Sequence, residues 1–386
     1  MIEDWQNGGF GIYVHWPFCE AKCPYCDFNS HVVRSIDQER WARAYLKEID
    51  RAALNLRGRV VRSIFFGGGT PSLMNPKTVE LIIDRISHHW VLANDVEITL
   101  EANPSSVEAE KFLAFRSAGV NRVSLGVQAL NDNDLKTLGR LHNTQEAFRA
   151  LDIAQSCFER ASFDLIYARQ NQSLKDWEIE LKQALTLGFS HFSLYQLTIE
   201  GGTAFGDRYK AGKLKGLPTD DVSADMYELT LDICETAGLP YYEVSNFAKP
   251  EQESRHNLIY WRYGDYLGLG PGAHGRLTLP DGSKIATETW LNPQVWLRAA
   301  EETSGEQSRI PLTLYEQGQE FLVMNLRLRE GLSLHRFETL SGSTISNEGL
   351  QALVKQGVIH LDDGIIQIDR NYVNVTNSII AELAPD

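Results

Sequence analysis

Short apolar runs alternate with amphipathic stretches from the start of the chain to about residue 250. The runs GIYVHW, VVRSIFFGG, DVEITLEAN, RVSLGVQA, SFDLIYA, FSLYQLTI and YYEVSNF are short and mostly rich in β-branched and aromatic residues, so they read as strands. Between them lie QERWARAYLKEIDRAAL, PKTVELIIDRIS, EAEKFLAFRSAG, TQEAFRALDIAQS, LKDWEIELKQALTLG and ADMYELTLDICETAG. These place apolar residues at helical spacing, and several end in Gly. Strand–helix alternation of this length predicts parallel strands with right-handed crossovers. A doubly wound sheet and a full or partial barrel both satisfy it.

The pattern changes after residue 250. Residues 251–310 are rich in Gly, Pro and aromatics, including RHNLIYWRYGDYLGLGPGAHG, and read as a connecting segment. From 311 to 386, LYEQGQEFLVMNLRL and SNEGLQALVKQG read as helices, and VIHLDDGIIQI as a hairpin turning at Asp363-Gly364. Helices followed by a two-stranded wing predict a small winged-helix-like module. Its helices carry few basic residues, which favours a packing or partner role over DNA.

Composition narrows the class. A chain of 386 residues with 43% hydrophobic residues can bury a sizeable core and hold two or three domains. Thirty-seven Lys+Arg against 51 Asp+Glu leave a net charge of −14, which argues against a general nucleic-acid binder. The first residues lack the basic and apolar regions of a signal peptide, and no run of 18 apolar residues predicts a membrane span. Five cysteines, three of them within eight residues, do not form a secreted disulfide framework. The expectation is a soluble, cytoplasmic protein, with Cys157 and Cys234 as small buried hydrophobes.

The clustered thiols lie in CEAKCPYCDF, where Cys19, Cys23 and Cys26 are followed by Phe28 at the position that would continue the run. A zinc site would need His15 or His31 as a fourth ligand. Three metal-free structural thiols would invite oxidation. An iron–sulfur cluster held by three thiolates leaves one iron open to chelate an amine and a carboxylate.

The C-x3-C-x2-C spacing at the end of the first predicted strand resembles the radical S-adenosylmethionine (SAM) superfamily. That resemblance implies an α/β fold, a partial (β/α) TIM-type barrel over 1–250, followed by the C-terminal α+β winged-helix-like domain. It implies a [4Fe-4S] cluster on Cys19, Cys23 and Cys26, and SAM cleaved to a 5′-deoxyadenosyl radical, with Tyr25 near the adenine. Gly67, Gly68 and Gly69 in FFGGGTPS follow a strand, where bare backbone can approach a ligand. The resemblance makes this loop, with Thr70, the grip on the SAM amine, and it adds Tyr13. It also matches Glu101, Gln128, Arg140 and Asp164 to polar SAM contacts at successive strand ends. Without it, Glu101 or Arg140 reads equally well as a solvated surface charge, although C-terminal strand ends are where barrel sites are built.

YVHWPFC, GGGTPS, YYEVSNFA, RHNLIYW and DYLGLGPGAHG together resemble the coproporphyrinogen III oxidase-like group, and within it the HemW-type haem chaperones. Three features separate this branch from the oxygen-independent oxidase: Phe28 in place of a fourth cysteine, little chain before Cys19, and HNLIYW, which fits an H-N-x-x-Y-W haem signature. The resemblance implies haem bound at His256, Asn257, Tyr260 and Trp261, a possible homodimer, and haem transfer to acceptor proteins. Radical chemistry is then vestigial or confined to gating. The alternatives are the coproporphyrinogen III oxidase itself, or a radical SAM methyltransferase or haem-degrading enzyme. DLIYARQNQS departs from the family's usual G-L-P-G-Q-type stretch, which affects the loop at 168–171.

Residue chemistry frames the haem expectation independently. His256 offers an imidazole to iron, Tyr260 and Trp261 offer flat apolar area, and Arg255 or Arg262 can pair with a propionate. In a helix Tyr260 lies one turn from His256, so both would face one ligand. The plainer alternative is a packed segment with His256 hydrogen-bonded internally. His274 and His142 are further axial candidates.

Overall fold

Among the described residues, 3–105 and 109–385, twelve strands form the principal sheet of the computed structural model. In chain order they are β1 (Phe10–Trp16), β2 (Val60–Gly68), β3 (Val91–Ala102), β4 (Arg122–Gln128), β5 (Arg160–Tyr167) and β6 (His191–Gln196). Then come β7 (Tyr241–Glu243), β8 (Asn246–Ala248), β9 (Asp265–Leu269), β10 (His274–Thr278), β11 (Lys284–Thr289) and β12 (Glu306–Pro311). Their spatial order is β12-β11-β10-β9-β1-β2-β3-β4-β5-β6-β8-β7. β9 and β1 to β6 pair in parallel. Antiparallel strands extend both ends, so the sheet stays open as a partial barrel.

The crossovers are α1 (Gln38–Ala53), α2 (Pro76–His89), α3 (Phe112–Ser117), α4 (Thr144–Cys157) and α5 (Leu174–Leu185), followed by α6 (Asp220–Thr236). Each buries one stripe. In α1, Trp41, Tyr45 and Ile49 are buried, and the Asp37 carboxylate caps the helix by accepting the Arg40 N–H. The predicted stretch 108–119 is helical over Phe112–Ser117; its first residue, Glu108, lies outside the described residues. Cys157 and Cys234 are buried, as expected.

Two expectations change. YYEVSNF is a tight hairpin rather than one strand, because Val244 and Ser245 make the turn between β7 and β8. The segment 251–310 is more than a connection: β9 joins the barrel beside β1, and β10 to β12 extend the sheet from it. Its glycines permit close strands; a Cβ on Gly268 would collide with the His274 carbonyl.

The C-terminal unit runs α8 (Leu314–Asn325), β13 (Leu332–Ser333), α9 (Leu334–Ser341), α10 (Asn347–Lys355), β14 (Ile359–Asp362) and β15 (Ile365–Ile368). This helix–strand–helix–helix–strand–strand order is that of a winged helix, with Phe321, Leu322, Phe337 and Ile366 in its own core. Asp363 and Gly364, with φ of +46° and +74°, form the wing's turn. Ion pairs Arg276–Glu320 (2.8 Å) and Arg336–Asp4 (2.7 Å) hold the unit against the barrel. That docking carries Met324 of α8, and Arg327 in the turn just after it, to the barrel mouth.

Candidate cofactor site and adjoining cavity

Every parallel strand from β1 to β5 delivers residues to one end of the barrel, its C-terminal face. The cysteine loop begins as β1 ends. The Gly69 N–H donates to the Trp16 carbonyl (2.7 Å) and the Thr70 N–H to the Phe18 carbonyl (2.8 Å), so the glycine loop is stitched along the cysteine loop. Asn29 anchors the far side by donating to the carbonyls of Pro271 and Leu291, each at 2.9 Å.

Cys19, Cys23 and Cys26 are half-buried and line one cavity of about 140 Å³. Tyr25, Gly68, Gly69 and Thr70 line it too. So do Glu101, Gln128, Arg140 and Asp164, contributed from β3 to β5 and the loop after Thr137. Tyr13 does not; it lines the adjoining cavity described below.

The donor set suits an anionic cluster. The Thr70 hydroxyl donates to Cys19 Sγ (3.3 Å), and Arg140 Nη1 donates to Cys23 Sγ (3.4 Å). Arg140 Nε is buried without a hydrogen-bond partner among the described residues. Burial pushes the Cys19 and Cys26 thiols up, so these sulfurs ionise readily only with a positive partner. A Cβ on Gly68, at φ +111°, would strike the His15 ring, and one on Gly69 would lie 2.7 Å from the Phe18 carbonyl oxygen. Only bare backbone fits here.

The zinc alternative loses its fourth ligand. His15 and His31 stand outside the thiol cavity. His15 is shared between the Tyr13 hydroxyl (3.0 Å) and the Asn29 carbonyl (2.9 Å), and His31 Nε2 meets Asn29 Oδ1 at 2.9 Å. Among the described residues, no three His, Cys, Asp or Glu side chains converge on a single ion.

Two recessed carboxyls face the same space. Burial, then the nearby Asp164, pushes Glu101 up to about 8, while its Oε2 accepts the Gly68 N–H at 3.2 Å. Burial pushes Asp164 up to about 6, against hydrogen bonds from Ser193 and Ser124. Both carboxyls would ionise more easily beside a bound cation, such as an amine or sulfonium. Gln128 enters through strain: it is non-glycine at φ +75°, where the pairing of β4 with β5 shifts register.

Sequence reasoning missed Asn103 and Ser124. Asn103 accepts from Arg140 Nη2 (2.5 Å) and donates to Thr70 (3.2 Å), tying the arginine to the glycine loop. The available signal was period-two polarity: Ser124 and Gly126 alternate with buried Val123, Leu125 and Val127 along β4. In the atypical DLIYARQNQS, Ala168 and Asn171 adopt φ of +57° and +60°. Buried Arg169 pairs there with Asp134 (2.7 Å) and Glu180 (2.5 Å).

A larger cavity of about 780 Å³ adjoins the thiol cavity, sharing Phe28, Gly68 and Glu101 with it. Phe28, 60% exposed, stands at the junction. Asn257, Tyr260 and Trp261 line the larger cavity from α7 (Arg255–Trp261), joined by Tyr195, Tyr266 and His274. Below, the Glu97 carboxylate seats the start of α7, accepting the N–H groups of Arg255 (3.3 Å) and His256 (3.2 Å).

His256 does not line this cavity. It is 1% exposed, with Nδ1 at 2.7 Å from Ser63 Oγ and Nε2 at 2.7 Å from the Tyr260 hydroxyl. Its ring stacks on Phe65 with centroids 4.9 Å apart. Burial pushes its pKa down to about 3. Arg255 pairs with Asp95 (2.7 Å) and Arg262 with Glu330 (2.6 Å), and neither lines the cavity. His142 is buried against the Val127 carbonyl (3.1 Å), also outside it.

Residues 13–183 match the radical SAM superfamily, and residues 312–371 match the HemN C-terminal domain. The heme chaperone HemW of Escherichia coli K12 is 42% identical over 74% of this chain and 75% of its own. The chain belongs to the HemW family. A mitochondrial radical S-adenosyl methionine domain-containing protein 1 of Bos taurus is 37% identical over 96% of this chain and 86% of its own. The fold matches the coproporphyrinogen III oxidase HemN of E. coli with a TM-score of 0.81, over 98% of this chain and 92% of that one, at 22% identity. HemN shares the architecture; sequence places this chain with the chaperones. Membership implies a [4Fe-4S] cluster and SAM, and the three thiols and polar lining of the thiol cavity have the chemistry that both require. Among the described residues, no helix is long and apolar enough to cross a membrane.

Proposed function

We propose that the chain holds haem in the 780 Å³ aromatic cavity, beside a cluster-and-SAM site, and passes it to acceptor proteins. The observation that carries this reading is the cavity wall. Tyr260, Trp261 and Tyr266 offer flat apolar area, and Arg327 is its one arginine among the described residues. A porphyrin is flat and apolar and carries two carboxylates, which matches that wall. The relatives at 36–42% identity that are named heme chaperones favour the same ligand.

In this reading Cys19, Cys23 and Cys26 hold the cluster, with Arg140 and Thr70 donating to its thiolates. Gly68, Gly69, Thr70, Glu101, Gln128 and Asp164 surround SAM, Tyr25 flanks it, and Tyr13 lines the adjoining cavity, stacked on Phe65 of β2. A cluster held there would offer one-electron chemistry toward SAM when an external reductant charges it. Phe28 gives the junction of the two cavities an apolar edge. On the haem side, Asn257, Tyr260 and Trp261 make contact, while His256 fixes the Tyr260 hydroxyl from behind.

Haem titration of the anaerobically purified chain, read by Soret absorbance, tests the reading. One haem should bind per chain and move to colourless apomyoglobin. Trp261→Ala should weaken binding roughly tenfold or more, given about 25 cal/mol per Å² of apolar area lost. Absence of haem binding removes the proposal. Protoporphyrinogen formed from coproporphyrinogen III with SAM and reductant selects the oxidase reading instead.

A further inference from the structure

The haem-binding reading leaves open which side chain meets the iron, and the cavity's histidines settle the order of preference. Two of them line it, His15 and His274. Both His15 nitrogens are occupied, by the Tyr13 hydroxyl and the Asn29 carbonyl. His256, the histidine of the H-N-x-x-Y-W stretch, lies behind Tyr260 with both nitrogens bonded and its ring stacked on Phe65. Reaching iron would mean breaking two buried hydrogen bonds and displacing the Tyr260 ring.

His274 differs on each count. It opens β10 at the cavity edge, and its side chain is 59% exposed. Its Nδ1 lies 3.6 Å from Glu288 Oε1, directly across the β10–β11 ladder. A carboxylate beside one imidazole nitrogen favours the tautomer that leaves the other as a lone-pair donor, and it raises that donor's basicity. The backbone beneath is fixed: Gly268 packs against the His274 carbonyl, and the neighbouring Ala273 N–H donates to Thr289 Oγ1 at 2.8 Å. The imidazole therefore stands on a rigid strand while its ring remains free to meet a ligand.

We infer that His274 is the axial ligand to haem iron in this chain, with Glu288 as its positioning residue. The inference rests on the cavity being the haem site, and the test keeps the two apart. Full-length, anaerobically purified protein is titrated with haem as wild type, His274→Ala, His274→Gly and Glu288→Gln, and read by Soret absorbance, electron paramagnetic resonance and resonance Raman.

Wild type should show a histidine-ligated signature. His274→Ala should lose it while still binding haem through the aromatic wall, and His274→Gly should regain it when imidazole is added. Glu288→Gln should keep the ligand and lower the iron–histidine stretching frequency, a change that a purely structural role would not produce. A wild-type spectrum in His274→Ala overturns the inference. Loss of the signature in Met324→Ala with His274→Ala unaffected also overturns it, assigning the thioether instead. Both results leave the cavity as the haem site. A wild-type chain that binds no haem overturns this inference and the cavity reading together.

Discussion

His256 Nε2 lies 2.7 Å from the Tyr260 hydroxyl, one turn along α7, and the contact is internal to the protein. The helical spacing does bring the two side chains together, yet they face each other and not a shared ligand. Ser63 closes the chain of hydrogen bonds from β2 at 2.7 Å.

Removing the imidazole should therefore act first on stability. His256→Ala leaves Ser63 and Tyr260 without a partner and opens a cavity beside Phe65, costing roughly 2–4 kcal/mol. Tyr260→Phe removes one hydrogen bond and should cost roughly 1 kcal/mol. Denaturant melts of cluster-loaded protein would rank the two. A larger loss in Tyr260→Phe would contradict the internal role of His256.

Stability without SAM should fall as pH rises from about 6.5 to 8. Glu101 is raised from 4.5 to about 8 and Glu243 from 4.5 to about 7, chiefly by burial. A carboxyl raised in the folded state favours folding at low pH, and that advantage is lost as pH climbs through the folded value. The neighbours of Glu101 are Asp164, which raises it, and Arg122 with the Gly68 N–H, which lower it. His256 and His142, lowered by burial, act only below about 6.5 and do not confuse this window. Glu101→Gln should flatten the dependence, and SAM should protect wild type more at pH 8 than at 6.5. A flat wild-type profile over this window would show that Glu101 ionises normally.

Much of this architecture is legible in the sequence, and the failures have physical causes. Strand–helix alternation marks β1 to β6 because each crossover buries a 3.6-residue stripe against short apolar strands. The cysteine and glycine loops are legible because their spacing is local. What local pattern cannot carry is partnership across the chain. Val244 and Ser245 turn a seemingly continuous strand into a hairpin, and Gly268 admits a neighbouring strand in a segment that reads as a linker. Arg327 is illegible for the same reason: it sits 66 positions after Trp261, in a separate unit, and only docking of α8 brings both to one cavity.

Arg255 and Arg262, which sequence proximity favours as propionate partners, are already paired with Asp95 and Glu330. Arg327 is half-buried at the cavity wall and donates to the Val323 carbonyl and, at 2.6 Å, to Asn377 Oδ1. Among the described residues it has no carboxylate partner in an ion pair. Desolvation pulls its pKa down, and a ligand carboxylate would reverse that cost. Arg327→Gln should weaken haem binding roughly tenfold, the scale of one charge-assisted hydrogen bond, and leave the affinity for haem dimethyl ester unchanged. Arg327→Lys should fall between, because an ammonium keeps the charge without the guanidinium's fork. Equal weakening for haem and its ester would mean that Arg327 supports the wall by packing, with the propionates directed elsewhere.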